Sequence, residues 1–269
     1  MDFRFKAGSV PLLVSMPHAG TDIPDDIAAT LTPEALQRAD TDWHLPELYG
    51  FLAEMDASVL SARWSRYVID LNRPPEDSNL YPGQDTTGLC PVDTFGRAPL
   101  YLPGQAPDQT QVQQRLERYW APYHAQLRAE LARLLALHGR VVLWDAHSIA
   151  SVVPRFFEGQ LPDLNFGTAG GTSCAPGLQA AVLSLAQGQQ EFTVALNGRF
   201  KGGYITRQYG QPTTGMHAIQ LEMCQYLYMN EVPAAEEGES PFAYRPDRAA
   251  HVQPLLREMM QAALNWAAQ

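Results

Sequence analysis

The residues able to do hydrolytic chemistry stand at similar punctuation points along the chain. His18 follows the apolar run Ser9–Met16, and His147 follows Val141–Trp144 with Asp145 two positions earlier. Glu222 lies on the polar side of the alternating run Ala218–Met223. Asn72 and Arg73 follow Tyr67–Leu71 and precede Pro74-Pro75, with Arg66 just upstream. Neutral imidazole is a good ligand for Zn2+, and a hydrolytic zinc site needs three protein ligands plus one open position. Two histidines in equivalent post-strand positions fit half of that requirement. A carboxylate is a common third partner, and Asp22 and Asp42 are the candidates. No HExxH motif occurs, so the spacing also allows hydrogen-bonded structural histidines. Asp145 could orient the His147 ring or cap the following segment.

Glu222 in a partly buried cleft would have a raised pKa and could act as a general base and then a general acid; on an exposed face it would do nothing. The Arg73 guanidinium could grip a carboxylate through two hydrogen bonds, or form a salt bridge with Asp70 or Glu76. The loop Asn197–Gly210 interleaves glycines and aromatics with Arg199, Lys201 and Arg207, three of the 19 lysines and arginines. In an acidic chain that concentration suggests an anion pocket, against the alternative of a solvated loop.

The elements that must position these residues read as α/β. Ser9–Met16, Ser58–Ala62, Tyr67–Leu71, Val141–Asp145, Phe192–Leu196 and Ala218–Met223 have strand character, the last by strict alternation. Thr32-Pro33 reads as a helix start, and Leu45–Met55, Leu178–Ala186 and Asp247–Ala268 as helices, with Pro254 an irregularity. Gln109–His138 carries apolar residues at helical spacing and stops at Gly139, with Pro122 a kink or a break. Arg73–Asp108 and Gly159–Gly177 read as loops, and a loop as long as the first usually has a function. Strands alternating with helices predict one α/β domain over 1–269, with a mainly parallel twisted sheet and helices on both faces. Ligands then collect outside the carboxyl ends of the strands, where the residues named above would converge.

Composition narrows the function classes. The chain has 269 residues, 45% hydrophobic and 18% charged, with a formal net charge of −10. That balance argues against nucleic acid or a membrane surface as partner and leaves small anionic molecules open. The three cysteines are widely spaced with no CxxC, as in a reduced cytoplasmic protein. The first residues lack a signal-peptide pattern, and no run approaches the length of a membrane span.

Taken together, PHAGTDIP, DTDWH, YVIDLNRPPEDSNLYPG, WDAHSI, NGRFKGGYITRQYG and HAIQLEM resemble the N-formylglutamate amidohydrolase family over about Pro11 to Tyr228. The resemblance implies hydrolysis of N-formyl-L-glutamate to L-glutamate and formate in histidine breakdown. It also implies a fold like that of zinc carboxypeptidases and aspartoacylases. It implies Zn2+, or another divalent metal, on His18 and His147, with Glu222 as acid/base and Arg66 polarising the carbonyl. Asn72 and Arg73 are then carboxylate binders. Those relatives carry HxxE, but the residue three after His18 is Thr21. The third ligand therefore comes from elsewhere, and Asp42 is favoured over Asp22. N-formylglutamate has two carboxylates, so two cationic anchors are expected, Arg73 and Arg207, with Lys201, Tyr204 and His217 as neighbours. The alternatives are another acylamino-acid deacylase or carboxypeptidase of the same fold, and a non-catalytic dicarboxylate binder. The oligomeric state is not legible.

Overall fold

The apolar runs pair as neighbours in one sheet, in a computed structural model that describes residues 2–231 and 242–269. The strands are β1 (Phe3–Lys6), β2 (Leu12–Met16), β3 (Ser58–Ala62), β4 (Val141–Ile149), β5 (Leu164–Gly167), β6 (Val194–Leu196) and β7 (Met216–Cys224). Their spatial order is β1-β3-β2-β4-β7-β5-β6. The centre, β3-β2-β4-β7, is parallel throughout, whereas β1 pairs antiparallel with β3 and β5 antiparallel with β7. The sheet is thus mainly parallel, as predicted. β1 and β5 go beyond the sequence reading; β5 lies inside what reads as the loop Gly159–Gly177.

Helices cover both faces. They are α1 (Asp25–Ala28), α2 (Leu45–Leu48), α3 (Gln109–Arg115), α4 (Ala121–His138), α5 (Pro176–Gly188), α6 (Tyr204–Tyr209) and α7 (Pro246–Ala267). Leu178 and Val182 of α5, and Val252 and Leu256 of α7, pack with Trp144 and Ile219 on one face. Leu127, Leu131 and Leu134 of α4 pack with Leu143 and Ala218 on the other. Each of these leucine, isoleucine and valine side chains, fully buried, contributes about 1.5–3 kcal/mol. β4 is buried along its whole length, as a central parallel strand covered on both sides must be.

Three expectations need correcting. The predicted strand Val141–Asp145 continues through Ile149, so Asp145 and His147 share one face of a strand instead of lying in a turn after it. Tyr67–Leu71 is buried but forms turns. Side chains satisfy its carbonyls where a neighbouring strand would: Arg115 Nη1 donates to Val68 O at 3.0 Å, and His124 Nε2 contacts Leu71 O at 2.9 Å. Finally, Thr32 heads only a single 3-10 turn, Ala35–Gln37, where its hydroxyl accepts from Ala35 N at 3.2 Å. The Gln109–His138 run is helical throughout, with a π turn at Leu116–Trp120 just before Pro122. The wider turn accommodates a residue that has no N–H to give.

Candidate metal centre and substrate pocket

Parallel pairing of β2, β4 and β7 brings residues distant in sequence to one rim. Ser15 of β2 stands beside Asp145, and His147 stands beside Glu222. His18 follows two residues after β2 ends, and its carbonyl accepts from Asp42 N at 3.0 Å. That bond carries Asp42 to the histidines. Asp22 points elsewhere, accepting from Arg63 Nε at 2.7 Å, with its side chain nearly half exposed.

His18, Asp42 and His147 are all buried and offer their ligating atoms to a common point. His147 Nδ1 lies 3.1 Å from His18 Nδ1 and 3.2 Å from Asp42 Oδ2; His18 Nδ1 lies 3.8 Å from the same oxygen. Ligand atoms held at roughly 2.0–2.2 Å by a tetrahedral ion stand about 3.3–3.6 Å apart. The triangle therefore matches a small divalent ion in size, and two imidazoles with one carboxylate match it in chemistry.

Charge supports the same fit. Burial would lower the His147 pKa, but the carboxylates of Asp145, Asp42 and Glu222 outweigh it and hold the value well above that of an ordinary histidine. The carboxylates thus favour positive charge around the imidazole, Asp145 from the Nε2 side and Asp42 from the Nδ1 side, where a divalent ion would sit. His18 differs: burial and the adjacent Arg66 lower its pKa, which keeps its imidazole neutral with a lone pair to offer.

The ring nitrogens facing away from the triangle are held from behind, as metal-binding imidazoles usually are. His18 Nε2 meets Asp70 Oδ1 at 2.7 Å, and His147 Nε2 lies 3.2 Å from Asp145 Oδ1. Asp70 also accepts from Arg66 Nη2 at 2.7 Å and from Asn72 N at 2.8 Å. Burial opposes its ionisation, but His18, Arg66 and Arg73 together hold its pKa well below the usual carboxylate range. Arg66 stacks over Phe95 at 4.7 Å and points Nη1 at His18 Nδ1, 3.3 Å away.

Asn72 has its side chain fully engaged. Nδ2 lies 3.0 Å from His147 Nε2, and Oδ1 accepts from Ile205 N at 2.8 Å. Gly203 packs so closely on it that a Cβ there would lie 2.4 Å from Asn72 Nδ2. Asn72 therefore ties the basic loop and α6 to the histidine cluster.

Glu222 is buried at the pocket wall and accepts no hydrogen bond from the described residues. Its pKa is raised to about 8, chiefly by burial, with Asp42 and Asp145 adding to the effect and His147 and Arg66 opposing it. A cation held by Asp42 would bring that value back toward neutrality.

These groups open onto one cleft, whose wall also includes Tyr81, Phe95 and Arg199. Arg73 lines it, with Nε donating to Thr87 O at 2.8 Å; neither Asp70 nor Glu76 forms a salt bridge with it. The other predicted binders lie elsewhere. Lys201 and Arg207 are exposed and outside the cleft wall, with Arg207 Nε donating to Gly202 O at 2.9 Å. Tyr204 packs against Trp120 and His124. His217 sits five register positions before Glu222 on β7, about 16 Å along the strand. There it accepts from Ala175 N at 3.2 Å and meets the Trp266 ring edge-on.

Sequence reasoning missed Asp70, Phe95, Tyr81 and Arg199 as parts of this site. Asp70 was legible, lying two residues before Asn72 in the same motif. Arg199 was one of three cations in the basic loop, and nothing local distinguished it from the other two.

Comparison with known proteins bears on this geometry. A model of the N-formylglutamate amidohydrolase family matches residues 10–229, most of the chain. The chain belongs to that family. An N-formylglutamate deformylase from Pseudomonas aeruginosa is 48% identical over 262 residues, covering 97% of this chain and 96% of the relative. One from Pseudomonas putida is 46% identical over 265 residues, covering 98% and 96%. Among solved structures, an N-formylglutamate amidohydrolase from Ralstonia eutropha JMP134 superposes with a TM-score of 0.77 at 26% identity, covering 98% of this chain and 96% of that one. In this N-formylglutamate amidohydrolase family member, all six motifs read from the sequence fall inside the matched residues.

Proposed function

We propose that the protein is a metal-dependent amidohydrolase that converts N-formyl-L-glutamate to L-glutamate and formate. This would be the last step of one route of histidine breakdown, in the cytoplasm. The observation that carries the reading is the convergence of His18, Asp42 and His147 on one point beside an unpartnered, buried Glu222. The names of the Pseudomonas relatives support the choice of acyl group and amino acid.

His18, Asp42 and His147 would hold Zn2+ or a similar divalent ion. Bound there, such an ion supplies Lewis-acid polarisation and brings the pKa of water toward neutrality. Glu222 takes the proton from the attacking water and hands it to the departing amine; a carboxyl with a raised pKa suits both steps. Arg66, immobilised by Asp70, faces the cluster and stabilises negative charge developing on the formyl oxygen. Arg73 binds a substrate carboxylate and sets the position of the formyl carbon. Asn72 orients His147.

Metal analysis together with an assay tests the proposal. The purified protein is expected to carry a divalent ion, to lose activity on chelation and to regain it with Zn2+. N-formylglutamate is expected to be turned over in preference to N-acetyl- and N-succinylglutamate. Full activity in metal-free protein would sink the metal assignment, and a preference for another acyl group would sink the substrate assignment.

A further inference from the structure

We infer that Arg199 is the residue that selects a substrate with an acidic side chain, binding the carboxylate farther from the scissile amide. The inference rests on the amidohydrolase reading and adds the source of its side-chain specificity.

Arg199 lies on the loop between β6 and α6, half-buried, with its guanidinium in the wall of the cleft. Nε donates to Phe156 O at 2.9 Å, and Nη2 donates to Asp85 O at 2.8 Å. Both acceptors are backbone carbonyls. Asp85 could have provided a counter-ion, but its carboxylate turns to Arg155 and Arg97 instead. Among the described residues no carboxylate pairs with Arg199. The guanidinium is also packed among three rings, Tyr81, Phe156 and Phe200, with centroids 5.5, 5.1 and 5.6 Å away. These contacts fix the plane of the fork and remove water from its faces.

A half-buried cation with no carboxylate bonded to it, held rigid at a pocket wall, is suited to a ligand carboxylate. Burial, helped by the neighbouring Arg73, disfavours its charged form against the weaker pull of Tyr81, Asp85 and Glu222, so an arriving anion relieves a cost already present. Arg73 is the chain neighbour of Asn72, which touches His147, and its charge acts on Asp70, the carboxylate behind His18. Arg199 is anchored to the outer segments around Asp85 and Phe156. N-formylglutamate has one carboxylate on the carbon bearing the amide and a second at the end of its side chain. The nearer one falls to Arg73 and the farther one to Arg199. The exposed Arg207, 5.1 Å from the centroid of the same Tyr81 ring, remains outside the cleft wall.

The test compares N-formyl-L-glutamate with N-formyl-L-glutamine, which has the same length but a neutral side chain. The metal-loaded wild type is expected to favour the glutamate compound in kcat/KM by about 100-fold or more, the scale set by a charge left unpaired in a pocket. Arg199→Gln is expected to bring that ratio close to one, with Arg199→Lys in between because it keeps the charge and loses the fork. Arg73→Gln is expected to lower turnover of both compounds and preserve the ratio. A wild type indifferent to the two compounds would overturn the inference without any variant. So would Arg199→Gln with its ratio intact, or Arg73→Gln alone collapsing it. Calorimetric binding of L-glutamate against L-glutamine makes the same comparison without turnover. Glutamate-selective binding lost in Arg199→Gln supports the inference even if no formyl compound is hydrolysed, an outcome that would count against the amidohydrolase reading alone.

Discussion

His147 and His217 are both buried, on adjacent central strands, yet the two ends of the sheet treat them in opposite ways. At the carboxyl end, His147 is surrounded by Asp42, Asp145 and Glu222, which raise its pKa against the burial penalty. At the amino end of β7, burial chiefly, with help from Arg140, lowers the pKa of His217. One site gathers carboxylates around an imidazole; the other surrounds it with Trp266 and a backbone amide. Residue type and burial are shared, so the neighbours decide which histidine is suited to a metal: Asp145 from the same strand, Glu222 by strand pairing and Asp42 by its bond to the His18 carbonyl.

The sharpest way to break this contrast is to remove each ring in turn. His147→Ala is expected to abolish metal retention at stoichiometric concentration and reduce deformylase activity to background. His217→Ala is expected to leave metal content and kcat unchanged and to cost about 1–3 kcal/mol of stability, because Ala175 N loses its acceptor. Metal analysis, kinetics and denaturant melts separate the outcomes. Metal loss in His217→Ala would mean that the two ends are coupled in a way their separation along the strand does not suggest.

Glu222→Gln probes the same end with a smaller perturbation. It preserves shape and removes the base, so kcat is expected to fall by roughly 10²–10⁴-fold. Bound metal and substrate KM should stay near wild type. Near-normal kcat in this variant would take Glu222 out of the proton-transfer role.

Much of the chemistry at the carboxyl end was legible because it sits on the best-marked elements. Val141–Trp144 announces a buried strand, and Ala218–Met223 alternates, so His147 and Glu222 could be placed from local pattern. The assignments that depended on packing were harder. Asp42 lies beside His18 through one backbone bond to the His18 carbonyl, which no periodicity encodes. The turns of Tyr67–Leu71 read as a strand because their composition is apolar and β-branched; side-chain donors from α3 and α4 make the irregular path stable. Arg199, Lys201 and Arg207 have similar local surroundings in sequence, and only the fold sends one inward and two outward. α6 supplies part of that sorting, and its six residues were hidden in a segment dense with glycine.

A third buried histidine extends the comparison to stability. His124 on α4 is bonded to no carboxylate among the described residues: Nε2 donates to Leu71 O, and Nδ1 accepts from Tyr209 Oη at 2.9 Å. Burial lowers its pKa to about 3. The unfolded chain therefore takes up a proton near the ordinary value of 6.5 while the folded chain refuses it until about 3. The stability tied to this difference is fully present above pH 6.5 and is lost progressively as pH falls from there to about 3. At about 1.4 kcal/mol per pKa unit, the loss reaches roughly 5 kcal/mol at the acid end. His124→Gln is expected to be less stable than wild type at neutral pH and to have a shallower acid limb in denaturant melts taken between pH 7 and 4. Parallel limbs for the two proteins would show that other groups dominate acid unfolding. Because His124 holds the loop carrying Asp70 and Asn72, its protonation would also loosen the groups behind His18 and His147.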